Sequence, residues 1–354
     1  MLTRDEAIAL PKILLHDHLD GGVRPSTLIE LADVIGWELP SDEPAELIEH
    51  ITENVNSGDL LRYLSMFDHT LAVMQRADAI ERVAAEATAD LAADGVVYAE
   101  VRFAPELHQQ NELALDEIVE AVTAGFRRGE RESAETGASI TVNVILCAMR
   151  TEQRSLEIAQ LADRFRSRDP KIVALDLAGA ETGFPPSLHA EALEFARRTH
   201  QNITIHASEP PDLDLIAEGV EYGAHRVGHG VRLQTDMAKD PSGLANPEAG
   251  MGPLARHILD RQIHLEMAPT CHVHVAAVPS IELHPLAPML RAGFNVGINT
   301  DNRLMSQVMP SSEIEAVANT HDLTADEISQ LGLNAMRSAF APLEVRNRII
   351  AEHF

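Results

Sequence analysis

Residues 13–20 read Ile-Leu-Leu-His-Asp-His-Leu-Asp, and this stretch decides how the rest of the chain is interpreted. It begins as an apolar run of the kind expected for a strand buried on both faces, which we predict over Ile13–His16. Alternate residues of a strand face the same side, so His16 and His18 can point into one interior. Ligand-type residues at a strand end are typical of a closed parallel barrel, in which all strand ends open on one face.

Seven further apolar runs have the same strand-like character, and helical patterns lie between them. The eight predicted strands are Ile13–His16, Val96–Phe103, Ile140–Cys147, Ile172–Ala178, Asn202–Ala207, Arg226–Gly228, Ile263–Ala268 and Asn295–Asn299. The predicted helices are Asp116–Thr136, Glu152–Phe165, Leu188–Thr199, Leu254–Arg261, Pro285–Arg291 and one that starts at the capping box of residues 324–327. This alternation predicts an α/β fold, the (β/α)8 TIM barrel, and 354 residues suit one such barrel with insertions.

The chain is predicted to form a single domain, 1–354, because it contains no linker, low-complexity tract or internal repeat. The spacing of the predicted strands is even except between the first two, where residues 41–92 form an extra helical insertion. In a barrel such an insertion projects over the catalytic face, so we expect a lid or a wall of the substrate site. An open doubly wound sheet is the alternative, but no glycine-rich phosphate loop follows the first strand.

Composition and charge exclude several classes of function. The net charge is −27 with 28 Lys and Arg residues, so nucleic acid is not an expected partner. The cysteines Cys147 and Cys271 have no paired spacing, which fits a reducing cytoplasm. Met1–Leu10 lacks a signal-peptide pattern, and no apolar stretch reaches the roughly 18 residues that span a bilayer. We expect a soluble, cytoplasmic protein without a membrane partner, whose oligomeric state the sequence does not fix.

Three more strand-like runs end in residues that suit metal binding. They are Ile205-His206-Ala207-Ser208-Glu209, Val227-Gly228-His229-Gly230 and Ile298-Asn299-Thr300-Asp301-Asn302. With the first strand they supply four candidate metal ligands, which are His16, His18, His206 and Asp301. Three imidazoles and one carboxylate suit Zn²⁺ and leave a position for water, whose pKa zinc lowers to about 7. The sequence therefore predicts a zinc hydrolase site at the strand ends.

Two residues beside these ligands suit proton transfer. Glu209 follows a predicted ligand by three residues, so its carboxyl can exchange a proton with a reacting group, and His229 can orient an attacking hydroxide. A single histidine in such a place is most often structural. Several ligand-type residues at the right strand ends are together a strong signal of a catalytic site.

One zinc ion per chain is the expected stoichiometry. Many barrel hydrolases bridge two metals with a carbamylated lysine at the end of the fourth strand. The chain has three lysines, Lys12, Lys171 and Lys239, and Lys171 stands at the start of that strand. Zinc deaminases of the H-x-E…P-C-x-x-C type need thiolate ligands, which two unpaired cysteines do not supply.

The chain resembles the adenosine deaminases of the amidohydrolase superfamily over nearly its full length. The matching segments are Pro11-Lys12, His16-Asp17-His18-Leu19-Asp20-Gly21, Asp176-Leu177-Ala178-Gly179, His206-Ala207-Ser208-Glu209, Arg226-Val227-Gly228-His229-Gly230 and Asn299-Thr300-Asp301. Their order and spacing are highly specific as a set. The resemblance implies deamination of adenosine and 2′-deoxyadenosine in purine salvage, with a purine nucleoside as the small-molecule partner.

The resemblance also implies a role for each candidate residue. It places Zn²⁺ on His16, His18, His206 and Asp301. Glu209 is then the proton donor to purine N1, while His229 and Asp301 hold the hydroxide that attacks C6. The implied substrate contacts are His18, Asp20 at the ribose, Gly179 at the purine edge and Asn302 at N7.

Several positions depart from the family pattern. Asn302 stands where the family commonly has a second Asp, although its amide N–H can still donate to purine N7. After the seventh strand the family usually reads Cys-Pro-x-Ser-Asn, whereas this chain has Ala268-Pro269-Thr270-Cys271-His272. An acidic residue is replaced by Leu14, and a glycine by Ser208.

The segment after the seventh strand also raises the question of a second metal. Cys271, His272 and His274 are ligand types at close spacing. No fourth partner is evident in the sequence, so we expect a repacked loop edge there.

Two other functions remain open beside adenosine deamination. Deamination of free adenine or of a modified adenosine is favoured by Asn302 and by the altered segment 268–272. A catalytically dead barrel used for binding or signalling would have lost its proton-transfer carboxyl, and Glu209 is present. Nucleotides such as AMP require a cationic phosphate pocket, and no basic cluster adjoins the motifs.

Overall fold

The computed structural model describes residues 1–56 and 60–354. Within them, eight parallel strands pair in chain order: β1 (Lys12–His18), β2 (Val96–Phe103), β3 (Thr141–Met149), β4 (Ile172–Ala178), β5 (Asn202–Ala207), β6 (Arg226–His229), β7 (His264–Met267) and β8 (Val296–Ile298). The helices of the described residues are α1 (Arg4–Ala9), α2 (Pro25–Ile35), α3 (Pro44–Val55), α4 (Leu60–Ser65), α5 (Phe67–Val73), α6 (Ala77–Ala93), α7 (Leu115–Glu135), α8 (Ser155–Arg166), α9 (Ala190–Arg198), α10 (Asp214–Glu221), α11 (Pro253–Arg261), α12 (Pro269–His274), α13 (Leu286–Arg291), α14 (Arg303–Ser306), α15 (Pro310–His321), α16 (Ala325–Ser338) and α17 (Leu343–His353).

Hydrogen bonds between the first strand and the end of the last one close the sheet into a barrel. The His18 N–H donates to the Asp301 carbonyl at 2.7 Å, and the Asp301 N–H donates to the His16 carbonyl at 3.0 Å. The side-chain oxygen of Asn299 accepts the N–H groups of Leu15 and His16 at 2.9 and 3.0 Å. The predicted TIM barrel is confirmed, and its closure extends β1 beyond the predicted end at His16 to include His18.

The helices cover the outside of the barrel, and the apolar core lies between them and the strands. Several of their ends follow local sequence signals. Gly137 lies just after α7 with φ of +88°, a left-handed conformation that glycine adopts without strain. The Glu327 side chain accepts the Thr324 N–H at 2.8 Å, which forms the predicted capping box of α16. Helix α9 starts at Ala190, two residues later than predicted, because Pro186–His189 form a 3-10 turn.

The predicted insertion at 41–92 contains helices of two kinds. Helices α4 and α5 reach the carboxyl ends of the strands, where Tyr63, Phe67 and Leu71 line a cavity. Helix α6 instead packs along α7 and β2 in the outer layer of the barrel. Residues 57–59 of the predicted insertion lie outside the described residues. None of the helices in the described part of the chain is long and apolar enough to cross a membrane.

Glu313 in α15 is a buried carboxyl whose ionisation opposes folding. Its side chain accepts the Thr270 N–H at 3.2 Å, but burial raises the pKa of Glu313 to about 7. A raised carboxyl pKa makes stability highest below the unfolded pKa and lowers it as pH rises to 7. The folded protein should lose about 3 kcal/mol of stability through this group between acidic pH and pH 8.

Glu313→Gln should therefore unfold at a higher temperature than the parent at pH 8, and the advantage should shrink at pH 5. Thermal denaturation of the metal-free proteins at both pH values measures this difference. The exposed Glu120→Gln in α7 serves as the control, and it should leave the difference near zero. An advantage of Glu313→Gln that is the same at both pH values would contradict the argument.

Candidate metal centre and active site

The ends of four strands bring ligand-type side chains within reach of a single ion. Ligand atoms of His16, His206, His229 and Asp301 lie within 4.8 Å of one another, and all four residues are buried. His18 adjoins this group, because its Nε2 lies 3.1 Å from His206 Nε2 and 3.4 Å from Asp301 Oδ1. The structure thus brings the four sequence-predicted ligands together, with His229 as a fifth close neighbour.

The environment of His16 fits a residue that binds a cation. Its Nδ1 donates to Glu266 Oε2 at 2.9 Å, which leaves a lone pair on Nε2. This Nε2 is buried without a hydrogen-bond partner and lies 3.3 Å from Asp301 Oδ1. A lone pair that faces a carboxylate oxygen is repelled unless a cation lies between them.

His206 has the same arrangement on the other side of the group. Its Nδ1 donates to Asp176, with 3.0 Å to Oδ2, so its Nε2 lone pair faces His18 Nε2. Three imidazole nitrogens, Nε2 of His16, His18 and His206, converge here with a carboxylate oxygen of Asp301. Such a donor set is the one that zinc prefers, so the cluster is a candidate metal site.

The two carboxylates that orient these histidines are held by buried arginines. Arg102 donates to Asp176 and to Glu266 at 2.7 Å each, and Arg226 donates to Glu266 at 2.6 Å. Burial opposes the ionisation of Asp176, but His206 and Arg102 hold its pKa well below the usual range. Against the same effect of burial, Arg102 and Arg226 lower the pKa of Glu266. Both groups are therefore carboxylates that fix a ring N–H and make the imidazole a stronger ligand.

The protonation of His16 and His18 agrees with metal binding, and His206 is the most basic of the three imidazoles. Burial lowers the pKa of His16 and of His18 well below the ordinary value, so both imidazoles are neutral. For His206, burial is outweighed by the Asp176 carboxylate, which raises the pKa. Neutral imidazole is the form that ligates a metal, and a basic one ligates more strongly.

Three residues at the strand ends have a left-handed backbone although they are not glycine. Their φ values are +74° for Ser208, +61° for His229 and +58° for Asp301. Such conformations are uncommon for residues with a Cβ and collect at functional sites. They turn the chain sharply at the ends of β5, β6 and β8.

Glu209 lies beside the candidate metal site on a loop that is held from both sides. The N–H groups of Ser208 and Glu209 donate to the Glu181 carboxylate at 2.7 and 3.0 Å, and Arg232 donates to the Glu209 carbonyl at 3.1 Å. Burial, and next the charge of Glu181, raise the pKa of Glu209 to about 7. The carboxyl therefore carries a proton for much of the time at neutral pH, as a general acid requires. Its Oε2 lies 3.7 Å from His229 Nε2.

A cavity of about 410 Å³ opens beside these groups and contains the sequence-predicted substrate contacts. Asp20 is buried in its wall with Oδ1 lacking a partner, and burial raises the pKa of Asp20 to about 6. Gly179 has φ of +96°, and a Cβ there would lie 2.8 Å from Met149 Cε. Asn302 donates through Nδ2 to the Tyr63 hydroxyl at 3.0 Å, while its Oδ1 has no partner. The size suits a small molecule.

The segment after β7 sends its three ligand-type residues in different directions. The Cys271 thiol donates to Asp301 Oδ2 at 2.8 Å, whereas His274 hydrogen-bonds Ser306 at 3.3 Å. His272 contacts other histidines. Among the described residues, the close metal-type groups that include Cys271 contain neither His272 nor His274.

Sequence reasoning missed the charged side chains that support the site. Glu266 lies between Leu265 and Met267 inside β7 and is fully buried, as are Arg102 in β2 and Arg226 in β6. A charged residue within an apolar strand run is a rare pattern that indicates a buried partner. This pattern in the sequence indicates that the three charged residues have buried partners, but it does not identify them.

The family model described as adenosine deaminase matches residues 11–353 of this chain. The chain belongs to the adenosine deaminase family. The adenosine deaminase of Mycolicibacterium vanbaalenii is 46% identical over 353 residues, which are 99% of this chain and 96% of that protein. Membership of the family makes the chain a hydrolytic deaminase.

Solved structures of two other deaminases have the same fold. The Arabidopsis N6-mAMP deaminase is 26% identical with a TM-score of 0.82, over 99% of both chains. The adenine deaminase from Arthrobacter aurescens is 24% identical with a TM-score of 0.81, over 97% of this chain and 98% of that chain. At 24% identity, the likeness to the adenine deaminase concerns the fold alone.

Proposed function

We propose that this protein hydrolyses adenosine and 2′-deoxyadenosine to inosine and 2′-deoxyinosine, with release of ammonia. The observation that carries the proposal is the convergence on one cavity of a buried histidine–aspartate cluster and a partly buried Glu209 whose pKa is raised to about 7. The adenosine deaminase relative that matches the whole chain supports the substrate.

One zinc ion per chain is the proposed cofactor. The residues that would hold it are His16, His18, His206 and Asp301. When bound there, zinc makes hydroxide available at neutral pH by lowering the pKa of water to about 7. None of the three lysines lines the cavity, where a bridge to a second metal would have to lie. Lys171 is bonded to Glu130 at the start of β4, and Lys12 to carbonyls at the start of β1.

Glu209 and His229 would carry out the proton chemistry. The Glu209 carboxyl holds a proton that it donates to purine N1, which makes C6 more electrophilic. His229, whose Nε2 lies 3.7 Å from Glu209 Oε2, would orient the attacking oxygen.

Two residues at the base end of the cavity would fix the purine. The strand-end Gly179 exposes its backbone, so its N–H can approach the purine edge closely. One amide hydrogen of Asn302 is bonded to Tyr63, and the other would donate to N7, which is an acceptor. An amide donates at any pH, so this contact does not depend on protonation.

The polar groups of the cavity favour a nucleoside over a nucleotide. The unpartnered Asp20 oxygen is an acceptor that suits a ribose hydroxyl. Arg232 is the one arginine among the described residues that line the cavity, and none of these residues is a lysine. Its guanidinium donates to the carbonyls of Glu209 and Ala276. The wall is otherwise rich in carboxyl groups, which repel a phosphate.

Free adenine or a modified adenosine is the alternative substrate. It is favoured by Asn302 and by the segment 268–272, which depart from the family pattern near the base end.

We also propose that the chain is a single domain, 1–354, with α4 and α5 as the wall over the site. Its two buried free cysteines are in keeping with a cytoplasmic location.

Ultraviolet absorbance of the zinc-loaded protein with adenosine, adenine, AMP and N6-methyladenosine in parallel tests the substrate. We expect adenosine to have the highest kcat/KM, with AMP well below it. Turnover of adenine or N6-methyladenosine without turnover of adenosine would overturn the assignment and leave the chemistry in place.

Replacement of Asp20 tests the ribose contact. Asp20→Ala should lower kcat/KM for adenosine by about 10–100-fold, because a hydrogen bond to a charged group is worth about 1.5–3 kcal/mol. Turnover of 9-methyladenine, which lacks the sugar, should change little. Asp68→Ala, at an exposed position of the same cavity wall, is the control. Equal losses on both substrates would argue against a ribose contact.

A further inference from the structure

Three buried histidines form a hydrogen-bonded chain that starts in the active site. His229 Nδ1 lies 3.0 Å from His272 Nε2, and His272 Nδ1 lies 2.9 Å from His284 Nε2. The three side chains are at most 1% exposed to solvent. The chain ends at the backbone of Leu286, whose N–H donates to His284 Nδ1 at 3.2 Å.

The last contact sets the direction of every bond in the chain. A backbone N–H can only donate, so His284 Nδ1 is an acceptor and the hydrogen of the neutral ring is on Nε2. That hydrogen is donated to His272 Nδ1, which puts the hydrogen of His272 on its Nε2. His272 in turn donates to His229 Nδ1, so the neutral His229 carries its hydrogen on Nε2.

Burial keeps the two outer members of this chain in their neutral form. It lowers the pKa of His284 to about 3 and that of His272 well below the ordinary value. The opposite tautomer of His229 would reverse both bonds and finally set an N–H of His284 against the N–H of Leu286. Two buried donors facing each other are strongly unfavourable.

We propose that His272 and His284 are positioning residues that fix the tautomer of His229, so that its Nε2–H points toward Glu209 and Asp301. The catalytic consequence rests on the proposed function: His229 donates a hydrogen bond to the attacking oxygen and does not remove its proton. A nitrogen that carries a hydrogen is not a metal ligand. The arrangement thus leaves His229 out of the ligand set, although it lies within the close group, and assigns that place to His18.

The position of His272 is a departure from the family pattern, which usually has Asn after Ser in this segment. The departure gives the chain an imidazole that spans from His229 to His284, where Leu286 supplies the fixed donor. The altered residues 268–272 therefore have a role in this protein beyond the packing of the loop.

Nitrogen-15 NMR of the zinc-loaded protein with labelled histidine tests the tautomer directly. Ring nitrogens with and without a hydrogen have well-separated shifts, and His229→Gln identifies the signals of His229. We expect Nε2 of His229 to carry the hydrogen in the parent protein. A hydrogen on its Nδ1 would overturn the proposal, and this readout does not depend on any substrate being turned over.

Kinetics of His272 variants test the catalytic consequence. His272→Leu should lower kcat for adenosine by about 10–100-fold with KM and zinc content little changed. His272→Gln keeps a donor for His229 and should restore most of kcat. His284→Leu releases the direction of the chain, and it should mix the two tautomers of His229 even if His272→Leu does not fold. Unchanged kcat and an unchanged His229 spectrum in the Leu variants would show that the residues only fill space.

Discussion

Replacing Glu209 with glutamine is expected to lower kcat for adenosine by about 10²–10⁴-fold, the usual contribution of general acid–base catalysis. The Glu209 carboxyl is the group whose pKa burial and Glu181 raise to about 7, and it borders the cavity 3.7 Å from His229. Glutamine preserves the shape and the backbone contacts of the loop but has no acidic proton to transfer. The loss should therefore fall on kcat with KM changed far less.

Three measurements distinguish this loss from damage to the site. Zinc content by atomic spectroscopy and the unfolding temperature should both match the parent protein. Glu248→Gln, a surface position outside the cavity, should retain full activity. A Glu209→Gln protein that binds zinc and works at near the parental rate would sink the assignment of Glu209 as the proton donor.

Replacing His206 with alanine is expected to abolish metal binding and to lower turnover on the order of 10³-fold or more, because no hydroxide is then generated at neutral pH. His206 is bonded to Asp176 on one ring nitrogen and directs the other into the cluster. Its loss removes a proposed zinc ligand and leaves the Asp176 carboxylate buried without one of its partners. Both effects weaken the proposed metal site.

Metal content and stability should report the same change. A ligand present at about 1,000 times its Kd stabilises a fold by about 4 kcal/mol, so chelation should lower the unfolding temperature of the parent protein. The same chelator should have no effect on His206→Ala. His257→Ala, an exposed position in α11, is the matched control and should keep its zinc. One equivalent of zinc retained by His206→Ala would remove His206 from the ligand set.

The sequence predicted the barrel well because each strand is a short apolar run, which can be recognised from its own residues without knowledge of distant contacts. The candidate ligand residues could be proposed for the same reason, since they lie at or just after the ends of those runs. Barrel closure depends instead on contacts between the two ends of the sheet, such as those of Asn299 with Leu15 and His16. The bond from the His18 N–H to the Asp301 carbonyl, which belongs to the same closure, explains why β1 continues to His18.

Features that depend on distant partners could not be predicted. Glu266 in β7 hydrogen-bonds His16 of β1. Arg102 of β2 donates to both Glu266 and Asp176 of β4. The sequence around each of these residues does not identify its distant partner. Cys271 and His272 were grouped as possible ligands of one metal because they are adjacent in sequence. In the structure Cys271 bonds Asp301 while His272 turns toward other histidines, because neighbours on a helix point in different directions.

The central claim is that this cavity replaces the amino group of adenosine with oxygen from water. The most direct measurement is the mass of the product formed by zinc-loaded protein in ¹⁸O-enriched water, together with the ammonia released. The account predicts inosine with one heavy oxygen and one ammonia for each adenosine consumed. Adenosine that is left unchanged by the zinc-replete protein, or inosine without the heavy oxygen, would contradict it.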